Sequence, residues 1–252
     1  AGEFLRKKSE FRSKEVEPKN FSRYVIFASQ GCPWAHRCWI TLSLMDFPLK
    51  HYFTHSFKIA LPFKYLRGIW APQNDGVWLG RFYQVSEPKV TARVVVPILW
   101  DLKDKKIVNN DSADIVQVLD RNFCPSERTR AVELCPSSKS KEIEELIAEI
   151  YVINNGVYRC GFAGTEEHKQ AARAEVYDAL ETLEARLASS PHKYLLGDEL
   201  TQPDIHLFTT MIRFDTAYCM AFRVGRKSLN DFVHMRRYIR SIYDQPKVRR
   251  TC

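Results

Sequence analysis

Hydrophobic and polar positions follow two different periods along the chain, and the change of period divides it in two. In the first part, short apolar or weakly alternating runs predict strands, and longer runs with helical spacing predict helices. The predicted strands are residues 22–28, 50–54, 94–101 and 105–108. The predicted helices are residues 33–46 and a segment that starts at Asp111-Ser112 and ends near Arg121.

Residues 94–101 have the strongest strand pattern of the first part. Their continuous apolar character is typical of a strand that is buried on both faces. Pro97 stands inside this run, although proline is excluded from central strands because it lacks the N–H group of the ladder. We therefore expect the strand to enter from a bend, with a cis peptide bond before the proline.

The second part of the chain is helical, because apolar residues recur there at helical spacing. The predicted helices are residues 138–157, 166–188 and 228–243, with a further helix that opens at Thr201. Thr201 is the expected N-cap of that helix, and Asp204 stands at the position of its capping-box partner. The turn-rich residues 122–138 separate the two parts.

These elements predict an N-terminal extension and two domains. A strand, a helix that starts with Cys-Pro, a later strand containing proline, a hairpin and an Asp-Ser helix start together describe an α/β thioredoxin-like domain. We assign residues 1–20 to the extension, residues 21–122 to the thioredoxin-like N-terminal domain and residues 135–252 to an all-α C-terminal domain. The length of 252 residues and the 45% apolar content suit two ordinary domains, each with its own core.

The net charge and the length of the apolar runs indicate which classes of binding partner to expect. The formal net charge is +8 and the pI is about 9.1, but the basic residues are scattered and no nucleic-acid-binding module is recognisable. No apolar run reaches the roughly 18 residues that a membrane span requires. We therefore expect neither a nucleic acid nor a membrane as partner, and a basic surface that attracts small anions.

Seven cysteines are irregularly spaced along the chain, and no signal-peptide pattern precedes them. An odd number at irregular spacing argues against a disulfide framework and predicts a reducing, cytoplasmic compartment. Cys124 and Cys135 flank a stretch rich in proline, serine and arginine. Since no second close pair accompanies them, we expect no zinc site and no other metal.

Cys32 is the residue that points most directly to chemistry. It follows a strand and directly precedes Pro33, which is favourable at the first position of a helix. Cys32 would therefore lie where unpaired backbone N–H groups and the positive end of the helix stabilise a thiolate. Such placements lower the pKa of a cysteine from about 8.5 into the range of roughly 3.5–7.5, so Cys32 is a candidate nucleophile.

The neighbours of Cys32 limit what a reaction at this thiol requires. Ala35 stands where a dithiol oxidoreductase has its second cysteine, so a mixed disulfide on Cys32 needs an external thiol for its resolution. Glutathione is the obvious supply in the cytosol. Cys38 lies more than one helical turn further on, and we expect it to point into the core instead of serving as a resolving thiol.

Five stretches of sequence, spread over residues 21–245, follow a recognisable family pattern. They are Gly31–Arg37, Arg93–Asp101, Asn109–Ser112, Asn155–Ala163 and Asp204–Asp215, with Tyr218 just after the last. On these stretches the chain resembles the cysteine-type glutathione transferases and, more narrowly, the glutathionyl-hydroquinone reductases of the Xi class. The resemblance implies a homodimer that uses glutathione as co-substrate, with neither a metal nor a nicotinamide cofactor.

The resemblance also assigns the glutathione site. The backbone of Val96, beside Pro97, would pair with the cysteinyl part of glutathione in the manner of an added strand. Asp111 and Ser112 would hold the γ-glutamyl part at a helix start, with Asp111 where the family usually has glutamate. Further contacts would come from Trp34, from Arg93 to a carboxylate, and from a covering tryptophan, for which Trp70 is favoured over Trp78.

In the helical domain, Tyr158 and Tyr218 match positions that line the family's pocket for small aromatic glutathione conjugates. A phenol can hydrogen-bond an aromatic hydroxyl and can transfer a proton. The implied reaction removes glutathione from a glutathionyl-hydroquinone through a mixed disulfide on Cys32. Plainer roles remain open: Arg93 on the surface, Ser112 as a simple N-cap, and Trp34 and the two tyrosines as packing residues.

Two other functions also remain open from the sequence. One is an omega-like thiol transferase or dehydroascorbate reductase, and the other is a non-catalytic binding protein with the transferase fold. The family continues into a C-terminal tail with another pocket tyrosine, whereas this chain ends at Cys252. We expect that difference, and a short loop over residues 58–92, to affect hydroquinone specificity more than the thiol chemistry.

Overall fold

The computed structural model describes residues 2–18, 20–47, 79–91, 93–123 and 132–252. The predicted strand at 50–54 and the residues Trp70, Trp78 and Cys124 lie outside the described residues. The chain forms two compact units. The first is Lys7–Ala131, called here the sheet unit, and the second joins Ala1–Arg6 to Val132–Cys252 and is called the helical unit.

Within the described residues, a three-stranded antiparallel sheet in the order β1-β2-β3 is the centre of the sheet unit. The strands are β1 (Tyr24–Phe27), β2 (Ile98–Asp101) and β3 (Lys106–Asn109). Strand β2 is shorter than the sequence predicts, because it begins only after Pro97. Residues 94–96 are half-buried and belong to no strand, and the Val96–Pro97 peptide is cis, as expected.

In the part of the sheet unit that the structure describes, three helices cover the two faces of this sheet. They are α1 (Pro33–Leu44), α2 (Leu79–Ser86) and α3 (Ser112–Asn122). Helices α1 and α3 pack with Tyr24 and Ile26 on one face, whereas α2 packs with Val25 and Phe27 on the other. Successive residues of a strand point to opposite faces, so a sheet covered on both sides needs uninterrupted apolar strands.

The N-terminal segment of the sheet unit runs along the free edge of β3. The Ser13 amide donates to the Val108 carbonyl over 3.1 Å, and the Asn110 amide donates to the Phe11 carbonyl over 2.9 Å. The side chain of Arg12 adds an ion pair with Asp114 at 2.7 Å. These bonds satisfy backbone groups at a sheet edge that would otherwise be open to pairing with another chain.

The helical unit consists of helices joined by short turns. They are α4 (Ser140–Gly161), α5 (Glu166–Ser189), α6 (Gln202–Met211), α7 (Val233–Tyr243) and α8 (Pro246–Arg249), with a π-helical turn at Phe214–Cys219. The predicted capping box of Thr201 and Asp204 is present at α6. The last long helix was expected from residue 228, but a 3-10 turn at Leu229–Asp231 precedes it.

Close packing of α4 on α5 depends on Gly156. A Cβ atom at this position would lie 2.4 Å from Cγ2 of Val176, closer than real Cβ contacts. Glycine therefore lets the two helix backbones approach each other where α4 continues towards Tyr158. None of the helices in the described ranges is long and apolar enough to cross a membrane.

Candidate active site

Cys32 is the N-cap residue of α1, with extended backbone angles (φ −86°, ψ 116°) and Pro33 at the first helical position. Its amide donates to the Ser29 carbonyl over 3.0 Å, and its carbonyl accepts from the His36 amide over 3.0 Å. The residue is half-buried. The first amides of the helix and the helix dipole therefore lie close to this residue, in an environment that favours negative charge.

The sulfur of Cys32 lies against the segment that the sequence assigns to glutathione. Its Sγ atom donates to the carbonyl oxygen of Val96 over 3.6 Å, although 64 positions separate the two residues. Val96 is half-buried and directly precedes the cis bond to Pro97. Val96 lies just before β2, so its backbone is not part of the ladder of the sheet.

Asp111 has a capping role, which the sequence analysis left open for Ser112 as a plainer alternative to ligand binding. Asp111 is the N-cap of α3, and its Oδ1 atom accepts from the amides of Ala113 and Asp114 over 2.9 and 3.3 Å. This bonding identifies Asp111 as a helix cap, with one carboxylate oxygen engaged. Its amide in turn donates to Oδ1 of Asn109 over 2.7 Å, which fixes the turn before the helix.

Arg37 is a site residue that the sequence analysis missed. Its side chain lies on α1 and only 3% of the residue is exposed. Nη1 of Arg37 donates to Oγ of Ser112 over 3.1 Å, and its guanidinium carbon lies 4.3 Å from the centre of the Trp34 ring. The arginine thus joins the helix that begins after Cys32 to the helix that begins at Ser112. The three-residue spacing from Trp34 was the available sequence signal.

The remaining candidates of the sheet unit are less closely connected to this group. Arg93 is exposed. Cys38 is fully buried among the core residues between α1, α3 and the sheet, as the sequence predicts. Burial raises the pKa of the Cys38 thiol, so its reactive thiolate form is disfavoured at neutral pH. Trp70, the expected cover of glutathione, lies outside the described residues.

In the helical unit, the two candidate tyrosines are in contact with each other. Tyr158 lies on α4 and Tyr218 in the π-helical turn, and their hydroxyl oxygens are 3.4 Å apart. The rings of Phe162 and Phe222 pack around Tyr158, with centroids at 6.3 and 5.4 Å. Phenols within hydrogen-bond distance can share or pass on a proton, and the surrounding rings suit a flat aromatic ligand.

Arg6 packs against the same aromatic group. Its Nε atom donates to Oδ1 of Asn155 over 2.8 Å, and its guanidinium carbon lies 4.8 Å from the centre of the Tyr158 ring. Phe4, from the same segment, packs in a tilted arrangement against Phe162, with ring centroids 5.3 Å apart. The cluster of Tyr158, Tyr218, Phe162 and Phe222, called here the tyrosine cluster, is therefore bordered by a cation.

The described residues also include other cysteines and possible metal ligands. Six described cysteines are free thiols. Among the residues that the structure describes, no group of three or more histidine, cysteine, aspartate or glutamate side chains is arranged to hold a metal ion. Among the described residues of the sheet unit, the half-buried Cys32 beside the Val96 backbone is the candidate for chemistry.

Comparisons with known proteins cover both units. The family model described as glutathione S-transferase, N-terminal domain, matches residues 31–122, and that of the C-terminal domain matches residues 166–240. The chain is 34% identical over 241 residues to glutathionyl-hydroquinone reductase YqjG of Escherichia coli, covering 91% of this chain and 71% of that protein. It is 33% identical over 267 residues to glutathione S-transferase omega-like 2 of Schizosaccharomyces pombe, covering 96% and 82%.

Solved structures agree with these matches. The glutathione S-transferase Xi from Phanerochaete chrysosporium superimposes with a TM-score of 0.83 at 29% identity, over 99% of this chain and 89% of that one. The glutathione-bound structure of YqjG gives a TM-score of 0.77 at 31% identity, over 93% and 77%. These similarities confirm the fold class predicted from the sequence, an α/β thioredoxin-like domain followed by an all-α domain.

Proposed function

The chain belongs to the glutathione S-transferase family, and from this premise we propose that it is a glutathionyl-hydroquinone reductase. The resemblance seen in the sequence is confirmed by relatives that bear that name in Escherichia coli and Sphingobium chlorophenolicum. The observation that carries the proposal is the 3.6 Å contact between the Cys32 sulfur and the Val96 carbonyl. It puts the nucleophile beside the backbone that would align the cysteine of glutathione.

The proposed reaction has two stages. The Cys32 thiolate attacks the glutathione sulfur of the conjugate, forming a disulfide as the bond from that sulfur to the aromatic ring breaks. The electron pair goes to the ring carbon, which takes up a proton, so hydroquinone is released in the reduced form. A second glutathione then attacks the mixed disulfide, which yields oxidised glutathione and restores the Cys32 thiolate.

The surroundings of Cys32 support resolution by an external thiol. Ala35 has no thiol, and the buried Cys38 has a raised pKa that suppresses its thiolate. A disulfide between Cys32 and glutathione is therefore not resolved by a neighbour on the same helix. Glutathione serves as the co-substrate of the second stage, and the proposed reaction uses neither a metal nor a nicotinamide cofactor.

We assign the binding of glutathione to the residues around Cys32. Val96 and Pro97 would align its cysteinyl part, while Asp111 and Ser112 would bind its γ-glutamyl part at the start of α3. Because Ser112 already accepts a hydrogen bond from Arg37, its own hydroxyl proton is available for a carboxylate of the ligand. Trp34, Arg93 and Trp70 complete the proposed site.

We assign the aromatic half of the conjugate to Tyr158 and Tyr218. Their hydroxyl groups would hydrogen-bond the hydroquinone and supply the proton that the ring carbon takes up. The 3.4 Å distance between the hydroxyl oxygens supports a shared role, because one phenol can lower the cost of a proton transfer by the other. We also propose that the protein is a cytoplasmic homodimer, with small aromatic conjugates as its partners and no nucleic acid or membrane.

Mass spectrometry of the wild-type protein after exposure to glutathionyl-menadiol tests the first stage. The expected product carries one glutathione on the peptide that contains Cys32, and added glutathione removes it. Cys32→Ser should carry no glutathione there and should lose at least about 10³-fold in activity, as enzymes do without their nucleophile. Cys38→Ala is the matched control on the same helix and should retain both adduct and turnover. An adduct on another cysteine would contradict the mechanism.

A second candidate function is an omega-like thiol transferase or dehydroascorbate reductase, and the 33% identity to an omega-like transferase favours it. The same nucleophile would serve both reactions, since each passes through glutathione on Cys32. Comparing the turnover of glutathionyl-menadiol with that of dehydroascorbate and a small mixed disulfide distinguishes them. The leading proposal requires the hydroquinone conjugate to be the better substrate.

A further inference from the structure

Tyr83 on α2 is not among the residues of the proposed site, yet its hydroxyl makes three hydrogen bonds. The residue is 1% exposed. Its hydroxyl donates to the Val95 carbonyl over 2.9 Å, and it accepts from the Val95 amide over 3.2 Å and from Nδ2 of Asn110 over 3.3 Å. A phenol has one proton and two acceptor sites, so these three bonds use its whole capacity.

The three bonds lead to the two segments that the proposed glutathione site uses. Val95 directly precedes Val96, whose carbonyl contacts the Cys32 sulfur. Asn110 directly precedes Asp111, the N-cap of α3. One buried side chain therefore connects the segment assigned to the cysteinyl part of glutathione with the segment assigned to its γ-glutamyl part.

The segment before Pro97 depends on such a side chain because it lies outside the sheet. Residues 94–96 belong to no strand, and both backbone polar groups of Val95 bond the phenol of Tyr83. Tyr83 is itself held by the sheet unit, with its ring edge-on to Phe11 at 5.7 Å. Burial raises the pKa of Tyr83, so the phenol keeps the proton that it donates throughout the neutral pH range.

We infer that Tyr83 is a positioning residue for glutathione, which holds the Val95–Val96 backbone at a set distance from the start of α3 so that both parts of the tripeptide bind together. This inference rests on the proposed function, because it takes Val96 and Asp111 as parts of the glutathione site. Tyr83 acts through Val95 and Asn110 and touches no reacting atom.

Tyr83→Phe removes the hydroxyl and keeps the ring, so it tests the inference directly. The dissociation constant of S-methylglutathione, a ligand that forms no mixed disulfide, should rise by at least about fivefold on the loss of these bonds. The KM for glutathione should rise in parallel. The rate of Cys32 alkylation by iodoacetamide should change much less than this affinity, because the helix start beside the thiol is untouched and only its contact with the Val96 carbonyl can shift.

Two control variants separate positioning from a general loss of stability. The Tyr177 hydroxyl holds backbone in the same way in the helical unit, since it donates to the Lys227 carbonyl over 2.8 Å and accepts from the amides of Arg226 and Lys227. Ser86 fixes α2 to β3 by accepting from the Ile107 amide over 2.7 Å. Tyr177→Phe and Ser86→Ala should each lower the melting temperature but leave the affinity for S-methylglutathione as it is.

The outcomes distinguish this inference from the proposed function. Unchanged binding in Tyr83→Phe, or an equal loss of binding in Tyr177→Phe, would overturn the positioning role alone. Wild-type protein that binds no S-methylglutathione would overturn the proposed function, and the positioning role with it. If Tyr83→Phe does not fold, Asn110→Ala takes its place in the comparison with Tyr177→Phe. The dissociation constant of S-methylglutathione should then rise by about twofold, because Asn110→Ala removes only one of the three bonds of the Tyr83 hydroxyl.

Discussion

The residues around Cys32 and the tyrosine cluster are held by different kinds of interaction. In the sheet unit, directional hydrogen bonds of 2.9 to 3.6 Å join Cys32 to Val96, Arg37 to Ser112 and Tyr83 to Val95. In the helical unit, the tyrosine cluster is built mainly of ring contacts between 5.2 and 6.3 Å. Hydrogen bonds specify a single geometry, whereas ring contacts tolerate many.

This difference suits the two halves of the proposed substrate. Glutathione is the same in every turnover, so a rigid polar site is an advantage because it reduces the ordering that binding costs. The aromatic half varies with the hydroquinone, and apolar walls with a few polar groups accept rings of different shape. We therefore expect changes in the sheet unit to alter glutathione binding and changes in the tyrosine cluster to alter the aromatic step.

Among variants that keep Cys32, the largest effect should come from removing both phenols, in Tyr158→Phe with Tyr218→Phe. Loss of a proton donor should lower kcat for glutathionyl-menadiol by about 10²-fold. The affinity for S-methylglutathione should not change, because the sheet unit is intact. Each single variant should cost nearly as much as the double, since residues that act as a unit are not additive.

Steady-state kinetics of the two single variants and the double variant give this comparison, with Phe222→Leu as a control that alters a wall and keeps both hydroxyls. Weakened binding of S-methylglutathione in the double variant would show that the division of roles between the units is wrong.

A smaller effect is expected from Asp111→Asn, which separates charge from capping. An asparagine Oδ1 atom can accept the same two amide bonds as the present Oδ1, and asparagine caps helices as well as aspartate. The free energy of unfolding should therefore stay unchanged. The affinity for glutathione should fall about tenfold, because the variant lacks the negative charge that we propose for binding the ammonium group of glutathione. Calorimetric titration with glutathione and with des-amino glutathione checks this, because the latter lacks the ammonium group and should bind both proteins equally.

The smallest effect is expected on the free energy of unfolding, when Arg12 in the sheet unit is replaced and Arg6 in the helical unit serves as the control. Burial alone would raise the pKa of Asp114, but hydrogen bonds from Arg12 and Lys14 outweigh it and leave that pKa below its ordinary value. A lowered carboxyl pKa stabilises the fold above the unfolded-state pKa of about 4, and this contribution is lost as the pH falls through the folded pKa.

Arg12→Leu should therefore reduce the free energy of unfolding by less than about 1 kcal/mol at pH 7, because Arg12 is half-exposed and Lys14 remains paired. The difference from wild type should shrink towards pH 3. Urea unfolding at several pH values measures this difference, with Arg6→Leu as the control for removal of a nearby arginine, which donates to the side-chain amide of Asn155. A pH-independent loss in Arg12→Leu would contradict this account of Asp114.

Local sequence signals located much of the candidate site. Cys-Pro after a strand predicted the N-cap position of Cys32, and Thr201 with Asp204 predicted a capping box that is present. Pro97 inside an apolar run predicted a bend and a cis bond, both of which are found, although the strand begins later than expected. Each of these signals acts within a few residues, so the chain determines the result nearly regardless of its surroundings.

Only the tertiary structure decided which distant residues meet. Arg37 and Ser112 are 75 positions apart, and Cys32 and Val96 are 64 apart, so no local pattern announces their contacts. The N-cap is Asp111 and not Ser112 for a related reason, because Arg37 donates to Ser112 Oγ while the Asp111 carboxylate accepts from the first amides of α3. The sequence thus determined where a nucleophile and two helix starts would lie. Packing of α1, α2 and α3 on the sheet decided which hydrogen bonds join them. The reason is that buried polar groups need hydrogen-bond partners, and the fold determines which groups lie within reach.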